Sequence, residues 1–204
     1  EAKGDTVCLI DAVSSKRIPL SLRPFEAVEQ HLHARVKSVE VHANFETEHL
    51  PFIVGVAGMA GYDTGRFYET LPTIAKNDYS TPDFTVGLYT SSLIEDTQTG
   101  YVYFCTADNL TLPEVFLNNR ANNKPLGFKL SSPFESNLSK SDYEQCLEKI
   151  NAYLRAGDCY QVNMAQRFTA TYEGSMWHAY CHLRDHNQAP FSAFYLICAG
   201  PELC

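Results

Sequence analysis

A row of polar side chains between residues 159 and 168 has the spacing to line a binding site. If this segment is a β-strand, alternate side chains point to opposite faces. Gln161, Asn163 and Arg167 then share one face, whereas the other face is apolar apart from one glutamine and would belong to a core. The polar row could line a cavity or simply meet water, and the pattern alone favours water.

Three histidines recur at every fourth position of a predicted helix and raise the question of a metal site. His178, His182 and His186 share one helix face, with Cys181 beside it. Such a pair can bind zinc when other ligands complete the coordination shell. No acidic residue or second cysteine is placed to complete it. We therefore interpret the row as a hydrated helix face and expect no metal in this chain.

Three glycines, Gly55, Gly58 and Gly61, could in principle form a phosphate-binding loop. Their spacing of three residues differs from G-x-G-x-x-G, and no helix obviously begins after them. Close packing of the backbone against a neighbouring segment is the favoured explanation.

These residues must be positioned by a fold that the sequence outlines. Runs of β-branched, aromatic and apolar residues predict strands at 6–11, 17–20, 83–90 and 101–106. Pro24 stands at the favoured first position of a helix, and a short helix is predicted at 112–119.

The second part of the chain begins with its clearest helix, between Ser139 and Gly157. Ser141 and Glu144 fit a capping box, and Gly157 suits a left-handed C-terminal cap. A strand, a helix and a second strand are predicted to follow, at 159–168, 175–186 and 191–197. Strands and helices mix without strict βαβ alternation, which predicts an α+β fold with mixed or antiparallel sheets and flanking helices.

Composition narrows the functional classes. The 204 residues are 45% hydrophobic and 20% charged, with a net charge of −8, as in a globular protein. Lys and Arg form no basic stripe, so we expect no nucleic-acid partner, and no apolar run reaches the roughly 18 residues of a membrane helix.

Seven cysteines without C-x-x-C spacing, and no signal peptide, favour a reduced, cytoplasmic protein. Because the chain stops directly after the apolar run 191–197, we expect a fragment.

Three blocks resemble a known family. Leu154–Phe168 is similar to the segment that opens the chorismate-binding domain, Leu50–Pro72 resembles the glycine-rich N-terminal block of the same enzymes, and Ala189–Phe194 is similar to a block that follows the second helix. The family comprises the first components of aminodeoxychorismate synthase and anthranilate synthase, with isochorismate and salicylate synthases. The resemblance implies an incomplete chorismate-utilising fold, with an N-terminal region at 1–138 and a truncated chorismate-binding domain at 139–204.

Two of these blocks also indicate a branch of the family. Tyr160-Gln-Val-Asn163 and Pro190-Phe-Ser-Ala-Phe194 resemble aminodeoxychorismate synthase, whereas anthranilate synthases typically carry Gln-Val-Val and Pro-Ser-Pro-Tyr there. Val54 departs from the glycine doublet of the relatives. The resemblance implies conversion of chorismate and ammonia to 4-amino-4-deoxychorismate for folate biosynthesis. Anthranilate synthase, and a non-catalytic amino-acid-binding or subunit-docking module, are the alternatives.

The resemblance assigns roles to four residues. Gln161 occupies the position of a lysine that activates water in the water-adding relatives, so it would line the pocket and shape the choice of nucleophile; a structural strand amide is the alternative. Pro190, Phe191 and Ser192 match a block that holds tryptophan. For this chain alone we favour a strand entry with a core aromatic at that block, because the partner Leu-x-Ser strand has no match here.

Other parts of the family's machinery have no match in this sequence. Relatives use Mg²⁺ held by glutamates, and a lysine in a Pro-Ile-Lys-Gly-Thr-like block is thought to attack chorismate in this branch. We therefore expect the 204-residue chain to be inactive by itself. A glutamine amidotransferase subunit is the expected source of ammonia.

Overall fold

The computed structural model describes residues 1–36, 50–74, 76, 79–107, 111–112 and 127–197. The chain divides into two compact units, Glu1–Arg120 with Tyr195–Cys204, and Ala121–Phe194. Antiparallel strand pairs combined with helices confirm the α+β class. The boundary predicted between residues 138 and 139 concerns the domains of the family and stays a prediction.

The first unit contains a five-stranded antiparallel sheet. Its strands are β1 (Ala2–Lys3), β2 (Thr6–Ile10), β3 (Arg17–Leu20), β4 (Gly55–Ala60) and β5 (Phe84–Tyr89), in the spatial order β3-β2-β1-β5-β4. Helix α1 spans Pro24–Arg35, and β6 (Ser91–Glu95) pairs with β7 (Val102–Thr106). The four predicted strands and the helix start at Pro24 are confirmed. The helix predicted at 112–119 lies outside the described residues except for its first position.

The core of the first unit forms where α1 meets the sheet. Ala2, Val7, Ala27 and Phe84 are buried together. The ring of Phe25 packs edge-on against Phe84, with 5.2 Å between the centroids. Burial of a side chain as large as phenylalanine contributes about 1.5–3 kcal/mol, so this small cluster stabilises the attachment of α1.

The three glycines lie along the contact between β4 and β5. A Cβ atom on Gly58 would overlap the carbonyl oxygen of Thr85 and lie 2.6 Å from the Cα of Val86. A Cβ on Gly61 would lie 3.0 Å from the oxygen of Asp83, to which the Gly61 N–H donates a 2.8 Å hydrogen bond. For Gly58 and Gly61, close backbone packing is therefore confirmed as the explanation. The expectation that no helix begins after the glycines is wrong, because a short 3-10 helix, Tyr62–Phe67, starts directly after Gly61.

In its described residues, 127–194, the second unit contains two short antiparallel strand pairs and two helices. Strands β8 (Phe128–Leu130) and β11 (Tyr172–Gly174) form one pair, and β9 (Glu135–Ser136) and β10 (Phe168–Thr169) form the other. Helices α2 (Lys140–Ala156) and α3 (Met176–Asn187) confirm the two helices predicted for this part of the chain. None of the helices in the described ranges is long and apolar enough to cross a membrane.

Two predicted strands are wrong. Of the segment 159–168 only Phe168 is in a strand, and residues 191–197 form none. A strand is stable when its backbone groups pair with a neighbour. Within residues 159–169, only Phe168 and Thr169 pair with a described strand, β9. The predicted core face of 159–168 is wrong as well, since Tyr160 is 100% exposed.

The N-terminus of α2 lies two residues before the predicted capping box. Ser139 is the N-cap: its hydroxyl oxygen accepts the N–H of Asp142 at 3.1 Å and its hydroxyl donates to the Asp142 carboxylate at 2.6 Å. The box predicted at Ser141 and Glu144 is therefore wrong, because Ser139 and Asp142 offer the same spacing one half-turn earlier. The predicted C-cap is confirmed, with Gly157 at φ 81°.

Replacing Ser139 by alanine is expected to lower the free energy of unfolding by about 1 kcal/mol, the usual cost of losing an N-cap. Ser141→Ala is the matched control: its hydroxyl accepts only a side-chain hydrogen bond, from Gln145 at 3.2 Å, and the change is expected to stay within about 0.5 kcal/mol. Urea unfolding of the intact protein measures both. Equal effects would show that Ser139 does not cap the helix.

Candidate functional site

Gln161 lies in an open segment between α2 and β10. The backbone of residues 161–167 is irregular, and the Gln161 side chain is exposed. Its amide nitrogen donates a 3.3 Å hydrogen bond to the side-chain oxygen of Asn163. The structure thus brings together two of the three polar residues of the predicted row, although by a side-chain bond rather than by a strand face.

Both ends of this segment are fixed. At its start, Gly157 terminates α2, and the Asp158 N–H donates to the Tyr153 oxygen at 3.0 Å. At its end, Arg167 and Asn137 are joined by two hydrogen bonds, from the Arg167 N–H to the Asn137 side chain at 2.8 Å and from the Asn137 N–H to the Arg167 oxygen at 3.0 Å. The segment therefore presents Gln161 and Asn163 between two anchored ends.

The block that includes Pro190, Phe191 and Ser192 follows the C-terminus of α3. All three residues are exposed, and the Phe191 side chain is 94% exposed. In the described part of the chain, Phe191 is thus not a core aromatic, and no strand begins at this block, so the interpretation as a strand entry with a core aromatic is wrong. The role in amino-acid binding stays a prediction.

The same block is anchored to α3 by Phe194. Its ring packs edge-on against Trp177 at 5.3 Å and lies 5.6 Å from Tyr180, and Trp177 stacks on Tyr180 at 5.5 Å. This three-ring cluster fixes one end of the block close to residues 190–192. Sequence reasoning did not identify it, although the i, i+3 spacing of Trp177 and Tyr180 places both rings on one helix face.

A shallow cleft of about 370 Å³ lies in the first unit and is lined by residues 66–71. Its one guanidinium, on Arg66, donates to the Asp63 carboxylate at 2.6 Å and to the carbonyl oxygens of Leu71 and Pro72 at 3.0 and 3.1 Å. Arg66 therefore ties the 3-10 helix Tyr62–Phe67 to the segment that follows it. Its donors are engaged by these neighbours, which favours a structural role over anion binding.

The histidine row of α3 stays without an assigned ligand. His186 Nδ1 lies 2.7 Å from the carbonyl oxygen of His182, and their rings are 5.1 Å apart. In the described ranges no group of three or more His, Cys, Asp or Glu side chains is arranged to hold a metal ion. The imidazoles of this row are nitrogen ligands, whereas Mg²⁺ takes oxygen ligands, so the row does not fit a Mg²⁺ site either.

Comparison with known proteins gives a consistent result. A family model described as chorismate binding enzyme matches residues 5–202. The chain is 38% identical over 190 residues to aminodeoxychorismate synthase component 1 of Escherichia coli K12, covering 93% of this chain and 41% of the relative. It is 28% identical over 173 residues to anthranilate synthase component 1 of Lactococcus lactis, covering 75% of this chain and 38% of the relative. The chain spans about two fifths of the length of the curated relatives it matches.

A solved structure shares the fold. The crystal structure of anthranilate synthase component I from Streptococcus pneumoniae superposes with a TM-score of 0.67 at 22% identity, over 92% of this chain and 45% of the other. At this identity the likeness concerns the fold alone, and it confirms the chorismate-utilising fold expected from the sequence.

Proposed function

This chain belongs to the chorismate-binding enzyme family, and we propose that the intact protein is the first component of an aminodeoxychorismate synthase. The observation that carries the proposal is the higher identity to relatives of that name, 38% over 93% of the chain, against 28% over 75% for an anthranilate synthase. The sequence Tyr160-Gln-Val-Asn163 supports the same branch.

In the proposed reaction, ammonia replaces a ring hydroxyl of chorismate. A C–N bond forms, a C–O bond breaks, and the hydroxide that leaves takes up the proton that the nitrogen loses, giving 4-amino-4-deoxychorismate and water. A glutamine amidotransferase subunit supplies the ammonia. Mg²⁺, which the family resemblance implies, would stabilise the leaving hydroxide when bound; no residue in the described ranges is assigned to hold it.

Gln161 is proposed to line the pocket and to favour ammonia over water. Ammonia is a nucleophile in its neutral form, whereas water needs a general base to reach comparable reactivity. A side-chain amide does not take up a proton in the physiological range, so Gln161 cannot act as that base. Its exposure in the open segment 161–167 supports contact with a ligand rather than a role in packing.

Residues 190–192 are proposed to contribute to a tryptophan site. A tryptophan ligand has an indole ring and charged α-amino and α-carboxylate groups. The exposed Phe191 ring can contact the indole, and the Ser192 hydroxyl can hydrogen-bond to a charged group. The anchoring of Phe194 by Trp177 supports this proposal, because it limits the motion of the block.

The proposal is tested by incubating the intact protein with chorismate, ammonium and Mg²⁺ and separating the products by chromatography. We expect 4-amino-4-deoxychorismate from the intact protein, and no turnover with the 204-residue chain alone, because no block of its sequence resembles the lysine-bearing block of the family. Anthranilate as the product would identify the other branch. If the intact protein leaves chorismate unchanged and binds tryptophan, the non-catalytic module is correct instead.

A further inference from the structure

We propose that Asn163 is a positioning residue that orients the amide of Gln161 for nucleophile selection; this inference rests on the proposed function. Its basis is the 3.3 Å hydrogen bond from the Gln161 nitrogen to the Asn163 oxygen. Only one residue separates Gln161 from Asn163 in this irregular segment, so the partner is supplied locally and does not need a sheet.

The bond matters because an amide has two different ends. Its nitrogen only donates hydrogen bonds and its oxygen only accepts them. With the Gln161 nitrogen directed to Asn163, the oxygen is the end left for a ligand. It can accept one N–H of ammonia, and the nitrogen lone pair of ammonia stays free to attack.

The reverse orientation would oppose the reaction. A Gln161 nitrogen facing the ligand would donate to the lone pair of ammonia and occupy the electrons that must form the new bond. The two orientations have nearly the same shape, so packing alone selects weakly between them. A hydrogen-bonding partner is needed to select one, and Asn163 is placed to be that partner.

The backbone around Gln161 does not fix the orientation of its amide. The segment is anchored at Gly157 and at Arg167, yet among the described residues no strand pairs with residues 160–167. Both Gln161 and Asn163 are exposed. The side-chain bond between them is therefore the contact that defines which end of the amide is presented.

The test uses the intact protein with ammonium as the nitrogen source and compares Asn163→Ala, Asn163→Asp and Gln161→Ala. Asn163→Ala is expected to raise the KM for ammonia about tenfold, the effect of losing one well-placed hydrogen bond, while the KM for chorismate stays within about twofold. Asn163→Asp keeps the acceptor oxygen and is expected to restore the KM for ammonia to within about threefold of wild type. Adding Asn163→Ala to Gln161→Ala is expected to change nothing further, because Asn163 acts through Gln161.

The outcomes separate this inference from the proposed function. Asn151→Ala, on the exposed surface of α2, is the control for loss of an asparagine side chain. A normal KM for ammonia in Asn163→Ala with a raised one in Gln161→Ala would overturn the positioning role alone. An equal rise in both KM values would show a general structural effect and also overturn it. If the wild type makes no 4-amino-4-deoxychorismate, the proposed function and this inference both fail.

Discussion

Replacing Gly58 by alanine is expected to lower the free energy of unfolding by about 3 kcal/mol, at the upper end of the usual cost of overpacking. The added Cβ would overlap the Thr85 carbonyl oxygen and lie 2.6 Å from the Cα of Val86. Both are backbone atoms of β5, so no side-chain rotation relieves the contact. Strands β4 and β5 must separate locally, which weakens their hydrogen bonds. Urea unfolding measures the change.

Gly127→Ala is the matched control for this experiment. A Cβ on Gly127 would meet no atom within 4 Å, and removing a glycine also restricts the unfolded chain. Its effect is expected to lie within about 0.5 kcal/mol of zero. If the two alanine variants unfolded at the same urea concentration, the close approach of β4 and β5 would be refuted.

The parts of the fold that the sequence predicts correctly depend on local signals. Pro24 begins α1 and Gly157 ends α2, and at each the residue type itself limits the backbone angles. The position of the α2 N-cap was wrong by two residues because Ser139 and Ser141 both precede an acidic residue at the same spacing. Only the observed hydrogen bond from the Asp142 N–H to Ser139 separates the two possibilities.

The parts that fail depend on partners far along the chain. The alternating pattern of residues 159–168 is typical of a strand, but a pattern does not reveal whether a neighbouring strand exists. The only pairing found there, in the described part of the chain, is that of β10 with β9, about 30 residues earlier. The apolar run 191–197 was predicted to be a strand for the same reason, and it fails for the same reason.

The candidate site shows the same division. From residue types alone, Gln161 could be predicted to line a cavity or to face solvent, and the pattern did not decide between them. Its proposed role comes from the family resemblance. Its hydrogen bond to Asn163 joins two amide side chains two positions apart, so their spacing in the sequence could have suggested the contact. By contrast, Phe194 meets Trp177 across 17 positions, and that contact had no sequence signal of its own.

Gln161→Lys is expected to redirect the intact protein from ammonia towards water. A lysine here places an amine where water can be deprotonated, and general-base catalysis contributes about 100-fold or more. Water at the carbon that loses hydroxide would only return chorismate, so the diagnostic product is the positional isomer in which water adds at another ring carbon as the hydroxide leaves. Its rate of formation should rise by about 100-fold, measured by chromatography without ammonium. A lysine acts as a base only when neutral, and its ordinary pKa is about 10.4. The hydroxylated product should consequently increase as the pH rises towards that value.

Gln166→Lys is the matched control, because it places the same side chain in the same segment at a different position. The Gln166 nitrogen donates to the Ser136 hydroxyl at 2.6 Å rather than to Asn163, so a lysine there should leave the product ratio unchanged. Equal amounts of hydroxylated product from the two variants would show that any added amine suffices. Retention of ammonia as the nucleophile in Gln161→Lys would remove Gln161 from nucleophile selection, and the choice would then have to be made by residues elsewhere in the pocket.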